Sequence, residues 1–243
     1  MFGKIIEFSA KKEYLEQKDL YPQPCKLNIP EWFKKLEHSA DNKTIKGCIP
    51  FLDSLTTGYT LKIPTDLVLK HNAIVENQRT TLMVSALTQD FSSNFNDRDN
   101  AQVHPVSQLG NKCPYNNKNK GLAFQKILNP WIIKTPPGYS CLFLPPLNNA
   151  DDRFSIISGI VDTDTFPLYI NFPIIVNGDK YPVLNTVLKK GTPYVQIIPF
   201  KRDSWKMKIK EIEEKDLNSK HYYYNLDFVY NYKSKFWNKK SFK

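Results

Sequence analysis

Apolar residues along this chain come in short runs, broken by Pro, Gly, Asn and Asp instead of by long polar faces. The runs KIIEFSA (4–10), TTLMVSAL (80–87), FSIISGIVDTD (154–164), FPLYINFPIIV (166–176) and TPYVQIIPF (192–200) read as strands with turns between them. FQKILNPWIIKTPPGYSCLFLPPL (124–147) reads as two strands around a Pro-Pro-Gly turn, and 46–69 as strand-like, interrupted at TTGYT and IPTD. NIPEWFKKLEHSA (28–40) predicts a helix, with Asn28 near its cap, Pro30 in its first turn and Trp32, Phe33 and Leu36 on one face. Strand candidates spaced about ten residues apart argue for an antiparallel sandwich or barrel-like fold. Residues 88–120 are polar and rich in Asn, and read as a long excursion.

Beyond Pro199 the pattern changes. SWKMKIKEIEEKDL and YYYNLDFVYNYKSKFW have near-helical spacing, with Tyr222, Leu226, Val229, Lys233 and Phe236 along one side. The expected organisation is therefore a mainly β domain over 1–200 and a basic, helical extension over 201–243.

Composition agrees with a packed β domain. Hydrophobic residues are 41% of the 243, enough for a substantial core, and 17 Pro against 9 Gly favour short extended segments. The net charge of +10 is uneven: residues 201–243 carry 12 Lys or Arg against 6 Asp or Glu. Such an end could meet nucleic acid, an anionic surface or an acidic partner, or simply be solvated. Cys25, Cys48, Cys113 and Cys141 form no C-x-x-C pair, which suits reduced thiols in a cytoplasmic protein. MFGKIIEFSA has no signal-peptide core, and no apolar run approaches the roughly 20 residues of a membrane span.

Candidate chemistry is sparse. His104 follows Asp97 and Asp99, but without H-x-H or H-E-x-x-H spacing, so no metal and no cofactor are expected. No P-loop and no G-x-S-x-G elbow occurs. SGIVDTD places Asp162 and Asp164 at the edge of an apolar run. Asp162 is either a ligand-contacting carboxylate or a turn acid holding a backbone N–H. Gln196 shares a strand face with Tyr194 and Ile198 and needs a partner, from a ligand or from another strand. In the tail, Trp237, Lys239 and Lys240 belong to an aromatic–lysine interleave that suits single-stranded nucleic acid, or docking of its aromatics on the body.

TTGYTL (56–61), TPPGYSCLFLPP (135–146), SGIVDTD (158–164) and LKKGTPYVQIIPF (188–200) occur in an order that resembles the dUTP pyrophosphatase and dCTP deaminase superfamily. The same NPW, TPPGYS and SGIVDTD signatures resemble an uncharacterised family of bacteriophage and bacterial proteins. The resemblance implies a β-clip fold, a nucleotide-type ligand, and a homo-oligomer, commonly a trimer with sites between subunits. It implies ligand contacts for Gly159, Asp162 and Asp164, for Tyr139 in the Pro-Pro-Gly turn, and for Gln196. It also marks departures. Thr60 stands where the family's metal-holding acid is found, and Pro146, Leu147 and Asn148 replace its phosphate-binding Arg-Ser-Gly. Thr165 replaces an aromatic, and a Lys and aromatic tail replaces the Gly-rich arm that closes over phosphates. Hydrolysis of a triphosphate needs Mg²⁺ and cationic or backbone donors, so the expected function is nucleotide or small-ligand binding without the family's phosphate chemistry. The alternative is a virion structural or assembly protein in which these motifs only build strands and turns.

Overall fold

Residues Pro193–Lys201 form the longest strand among the described residues, and the architecture is built outward from it. The computed structural model describes residues 4–73, 81–86, 103–110, 112–218 and 232–243. Its strands in chain order are β1 (Glu7–Ser9), β2 (Gln23–Pro24), β3 (Tyr59–Lys62), β4 (Leu67–Asn72), β5 (Thr81–Ala86), β6 (Val103–His104), β7 (Phe124–Ile127) and β8 (Ile132–Lys134). They continue with β9 (Tyr139–Leu144), β10 (Phe154–Ile156), β11 (Gly159–Val161), β12 (Phe172–Val176), β13 (Val183–Leu188) and β14 (Pro193–Lys201). Among the described residues, short helices accompany them, including α1 (Lys12–Leu15), α2 (Glu31–Lys35), α3 (Ile49–Thr56) and α4 (Pro114–Lys118).

Among the described residues every strand pairing is antiparallel, in sheets ordered β11-β9-β14-β3-β2, β10-β12-β7-β6, β13-β4-β5 and β1-β8. The fold is thus mostly β with several antiparallel sheets, as the strand spacing predicts. Tyr194 to Ile197 are buried in succession because β14 lies between β9 and β3 and is covered on both faces. Ile63, Leu69, Ile133, Phe143, Phe172, Ile174 and Ile197 join Tyr194 in one core that spans the sheets.

Several elements differ from the sequence reading. The helix predicted over 28–40 is confined to Glu31–Lys35, behind Pro30 as N-cap. It stops early because the Lys46 ammonium donates to the carbonyls of Lys34 and Leu36, each at 2.8 Å, and so satisfies the free end of the helix. Within the strand-like 46–69 stretch, Ile49–Thr56 is helical: Pro50 suits a first turn, and Phe51 stacks on Phe33 at 5.6 Å. Two strands, β8 and β9, do flank the Pro-Pro-Gly turn, but 124–147 also carries β7 ahead of them, and the three strands enter different sheets. Of the excursion, residues 103–110 and 112–120 carry β6, a short 3₁₀ turn and α4, while the rest lies outside the described residues. The extension is irregular over 202–213 and helical over 214–218, and Tyr232–Phe236 forms a π turn; Tyr222, Leu226 and Val229 lie outside the described residues.

α3 delivers the chain to β3 through Gly58, whose φ of +82° suits a residue without a side chain. A Cβ there would lie 2.0 Å from the Ile197 carbonyl oxygen, so Gly58 also permits β14 to approach. Gly138 shares a positive φ, +83°, but a Cβ there would meet nothing within 4 Å. Gly58→Ala is therefore expected to destabilise by more than ~2 kcal/mol and Gly138→Ala by about 1 kcal/mol, the backbone penalty alone. Denaturant unfolding of the two variants measures the difference, and equal losses would remove the role given to the close approach.

Candidate functional site

Two places collect the residues singled out in the sequence. The first is the end of SGIVDTD. β11 pairs with β9, Val161 opposite Cys141, and β9 pairs with β14, Cys141 opposite Pro199. One step further on, Asp162, Ser140 and Arg202 come together. Ser140 Oγ donates to Asp162 Oδ1 at 2.6 Å, and the Arg202 guanidinium lies 3.3 Å from the same oxygen. Arg202 also grips Asp164 with both terminal nitrogens, at 2.8 and 2.5 Å, and donates to Ser140 Oγ and to the Tyr139 carbonyl.

The Pro-Pro-Gly turn is tied into this knot. Tyr139 N–H donates to the Pro136 carbonyl with Gly138 at positive φ, as a type II turn requires. Gly138 N–H then donates to Asp164 Oδ2 at 2.8 Å. Beneath it Thr135 and Thr163 share a hydroxyl–hydroxyl contact of 2.7 Å, and Thr163 reaches the buried Cys141 sulfur at 3.3 Å. Asp164 is only 5% exposed, and hydrogen bonding from Arg202, helped by Gly138, holds its carboxyl down at about 2. Asp162 remains 60% exposed.

The second place is a cleft of about 380 Å³ at the other end of the sheet. Thr60 of β3, Pro146 and Leu147 after β9, and Thr192, Pro193 and Gln196 at β14 line one side. Leu27, Asn28, Pro30, Glu31 and Lys34 line the other, with Leu55 of α3. Gln196, 3% exposed, is fully bonded: Nε2 donates to the carbonyls of Ser54 (3.0 Å) and Thr57 (2.7 Å), and Oε1 accepts from Leu147 N–H (2.9 Å). Thr60 is buried and donates its hydroxyl to Cys25 Sγ at 3.2 Å. Burial pushes the Cys25 thiol up to about 11, so neither group brings charge to the cleft. Lys34 is paired with Glu31 at 2.6 Å. Among the described residues no cluster of three or more His, Cys, Asp or Glu is arranged to hold a metal ion.

The five nominated ligand residues therefore do not converge within one chain. Asp162, Asp164 and the Tyr139 backbone meet at Arg202. Gln196 lies opposite Leu144, four residues along β9 from Ser140, or about 13 Å away. Gly159 is exposed on β11, opposite Phe143. In the tail, the Trp237 indole N–H and the Lys240 ammonium both donate to Asp53 of α3, at 2.9 and 2.6 Å, and Phe242 meets Tyr59 edge-on. Lys239 is exposed. His104 contacts Gln108, while Asp97 and Asp99 lie outside the described residues. Arg202 is the residue that the reading of the sequence passed over. Its signal was faint: a cation directly after a strand ending in Pro-Phe-Lys, with two unpaired acids elsewhere to be neutralised.

No family model matches the chain, and no curated protein matches it in sequence. Among solved structures, a mutant of the dUTPase from phage phi11 of S. aureus, described for its coordination of a structural Mg(II) ion, is similar at 10% identity and a TM-score of 0.37. The match covers 86% of this chain and 97% of that one. No helix among the described residues is long and apolar enough to cross a membrane.

The Asp164 clamp makes a prediction about acid stability. An unfolded Asp titrates near ~3.9, above its folded value of about 2, so the stabilisation is complete above the unfolded value. It is lost as pH falls through the folded one. The melting temperature should drop more steeply for the wild type than for Asp164→Asn between about pH 5 and pH 2, with the variant less stable at neutral pH. Parallel curves would show that Arg202 contributes no net stability through Asp164.

Proposed function

We propose that this chain binds a small ligand of the nucleoside or nucleotide class in the cleft of about 380 Å³, on a dUTP pyrophosphatase-like β scaffold. One observation carries the reading: three of the four segments that resemble the superfamily, represented by Thr60, Pro146 and Gln196, line this single cleft. Its size is ordinary for a small-molecule site, and its walls are largely apolar with a few polar groups. The superfamily's phosphate-binding and metal-holding residues have no counterpart at the matching positions there. Thr60 cannot replace a metal-holding acid, and Pro146 and Leu147 offer no cation or hydroxyl. Binding, and not triphosphate hydrolysis, is the activity proposed.

The fourth segment supports an assembly. Gly159 and Ile160 are exposed, Ile160 at 63%, and Asp162 keeps an accessible face. If SGIVDTD contributes to a site at all, it serves the cleft of a neighbouring copy. A homotrimer is the proposed form. Light scattering on the purified full chain is expected to give three times the monomer mass, and a monomer would leave SGIVDTD without a ligand role.

A thermal-shift panel of nucleosides and nucleotides, with and without Mg²⁺, tests the ligand. A compound at 100 times its dissociation constant stabilises by roughly 2.7 kcal/mol. A selective rise in melting temperature that is indifferent to Mg²⁺ is expected. Thr192→Trp, which fills the cleft, should abolish it without lowering the melting temperature of the free protein. A flat panel sinks the reading.

A second reading, an assembly or virion component, has its own observation. Trp205, Met207 and Ile209 are 90%, 88% and 85% exposed and alternate with Lys206, Lys208 and Lys210. Such an apolar face is a mark of an interaction surface. It gains weight if the panel is flat.

A further inference from the structure

Two groups of large apolar side chains stand in water near the Arg202 end of the β14 sheet. The first is the segment that leaves β14. Trp205, Met207 and Ile209 are 90%, 88% and 85% exposed, with Lys206, Lys208 and Lys210 interleaved. A period of two puts the apolar residues on one face of an extended chain and the lysines on the other. That is the pattern of a strand at the margin of a sheet: one face covered, the other charged so that nothing further adds. Among the described residues, 202–213 has no strand to pair with.

The second group is on the body. β11 is the outermost strand of its sheet and meets no strand on its outer side among the described residues. Ile160 at its centre is 63% exposed, and Phe166 and Leu168, a few residues on, are 39% and 61% exposed. The charges suit the lysine segment. Asp162, with 60% of its side chain exposed, shares the single guanidinium of Arg202 with Asp164, so negative charge is in excess where lysines would arrive.

A lone chain leaves both groups uncovered although they start side by side. Arg202 ties the root of the segment to Asp164, two residues before Phe166, yet Trp205 stays in water. The segment does not fold back on its own ridge, and a second copy offers the same ridge with the same charge. A lipid surface would cover the apolar face but leave the strand's N–H and C=O groups unmet, whereas a sheet edge satisfies them.

We infer that residues 205–210 of one chain add as a strand to the β11 edge of a second copy, with Trp205, Met207 and Ile209 covering Ile160, Phe166 and Leu168. This rests on the self-association in the reading above, and on neither its ligand nor its count of three copies.

Disulfide trapping between two separately purified full-length chains tests the joint. Both carry Cys48→Ser, which removes the exposed native thiol; one adds Met207→Cys and the other Leu168→Cys. Mixed and oxidised they should form a linked pair, and neither should do so alone. Light scattering supplies the second arm, with the wild type expected to be oligomeric. Trp205→Ser with Met207→Ser, and separately Ile160→Ser with Leu168→Ser, should each weaken self-association roughly 30-fold or more, as loss of central apolar anchors does. All four side chains are exposed in the single chain, so both variants should melt with the wild type at concentrations where it too is dissociated. An oligomer that gives no mixed disulfide, or tolerates either pair of substitutions, overturns this joint and leaves the homo-oligomer standing. A monomeric wild type overturns both and leaves the cleft untouched.

Discussion

A buried primary amide has two donors and an acceptor to satisfy, and the way Gln196 satisfies them organises one end of the molecule. Its partners are the carbonyls of Ser54 and Thr57 at the end of α3 and the N–H of Leu147 in the turn after β9. These are backbone groups that a helix end and a turn would otherwise leave unmet. With α3 stopped there, Gly58 can turn the chain against Ile197, and Thr60 comes to lie opposite Gln196 in the ladder. The cleft is the space left over when helix end, turn and central strand are joined through one side chain. Gln196 is therefore part of its wall, with both amide donors already used.

Arg202 does for the opposite end what Gln196 does for this one. It stands one residue past β14 and gathers the Pro-Pro-Gly turn, Ser140 and both acids of SGIVDTD. The two carboxylates are not equivalent. Asp164 is enclosed, bound by Arg202 and by Gly138 N–H, and its role is to fix the turn. Asp162 shares the same guanidinium but keeps an accessible face, so it can close the strand and still meet something from outside. A turn acid and a ligand acid are thus not exclusive descriptions of Asp162.

What could be read from the chain follows from which forces are local. Alternation and turn residues are local, and β1, β5, β9, β11 and β12 fall inside the predicted runs, while β14 overruns its own by one residue. Helix against strand in a short apolar stretch is not. IPFLDSLT carries Pro at a position good for either, and contact between Phe51 and Phe33, distant in sequence, accompanies the helical form. Strand partners are equally non-local: β8 and β9 are neighbours in sequence but pair with β1 and β14. In SWKMKIK the apolar residues recur every second position, a strand period, and the helical reading fails there for that reason. Of the candidate site, the residue types were legible. Their division between two ends of the sheet was not, because register decides it.

The net charge of the chain is also a poor guide to the chemistry of its cavities. Most of the excess lysine lies in the extension, and the cleft's own Lys34 is closed by Glu31. Lys240, which on sequence alone suits a phosphate backbone, donates to Asp53, and Trp237 joins it there, so the tail's cation and indole hold the tail to α3. Coulomb attraction to a distant polyanion is screened within about 8–10 Å at ordinary ionic strength, whereas a contact pair at a half-buried carboxylate is screened far less. Local pairing therefore outweighs bulk charge in deciding what each lysine does.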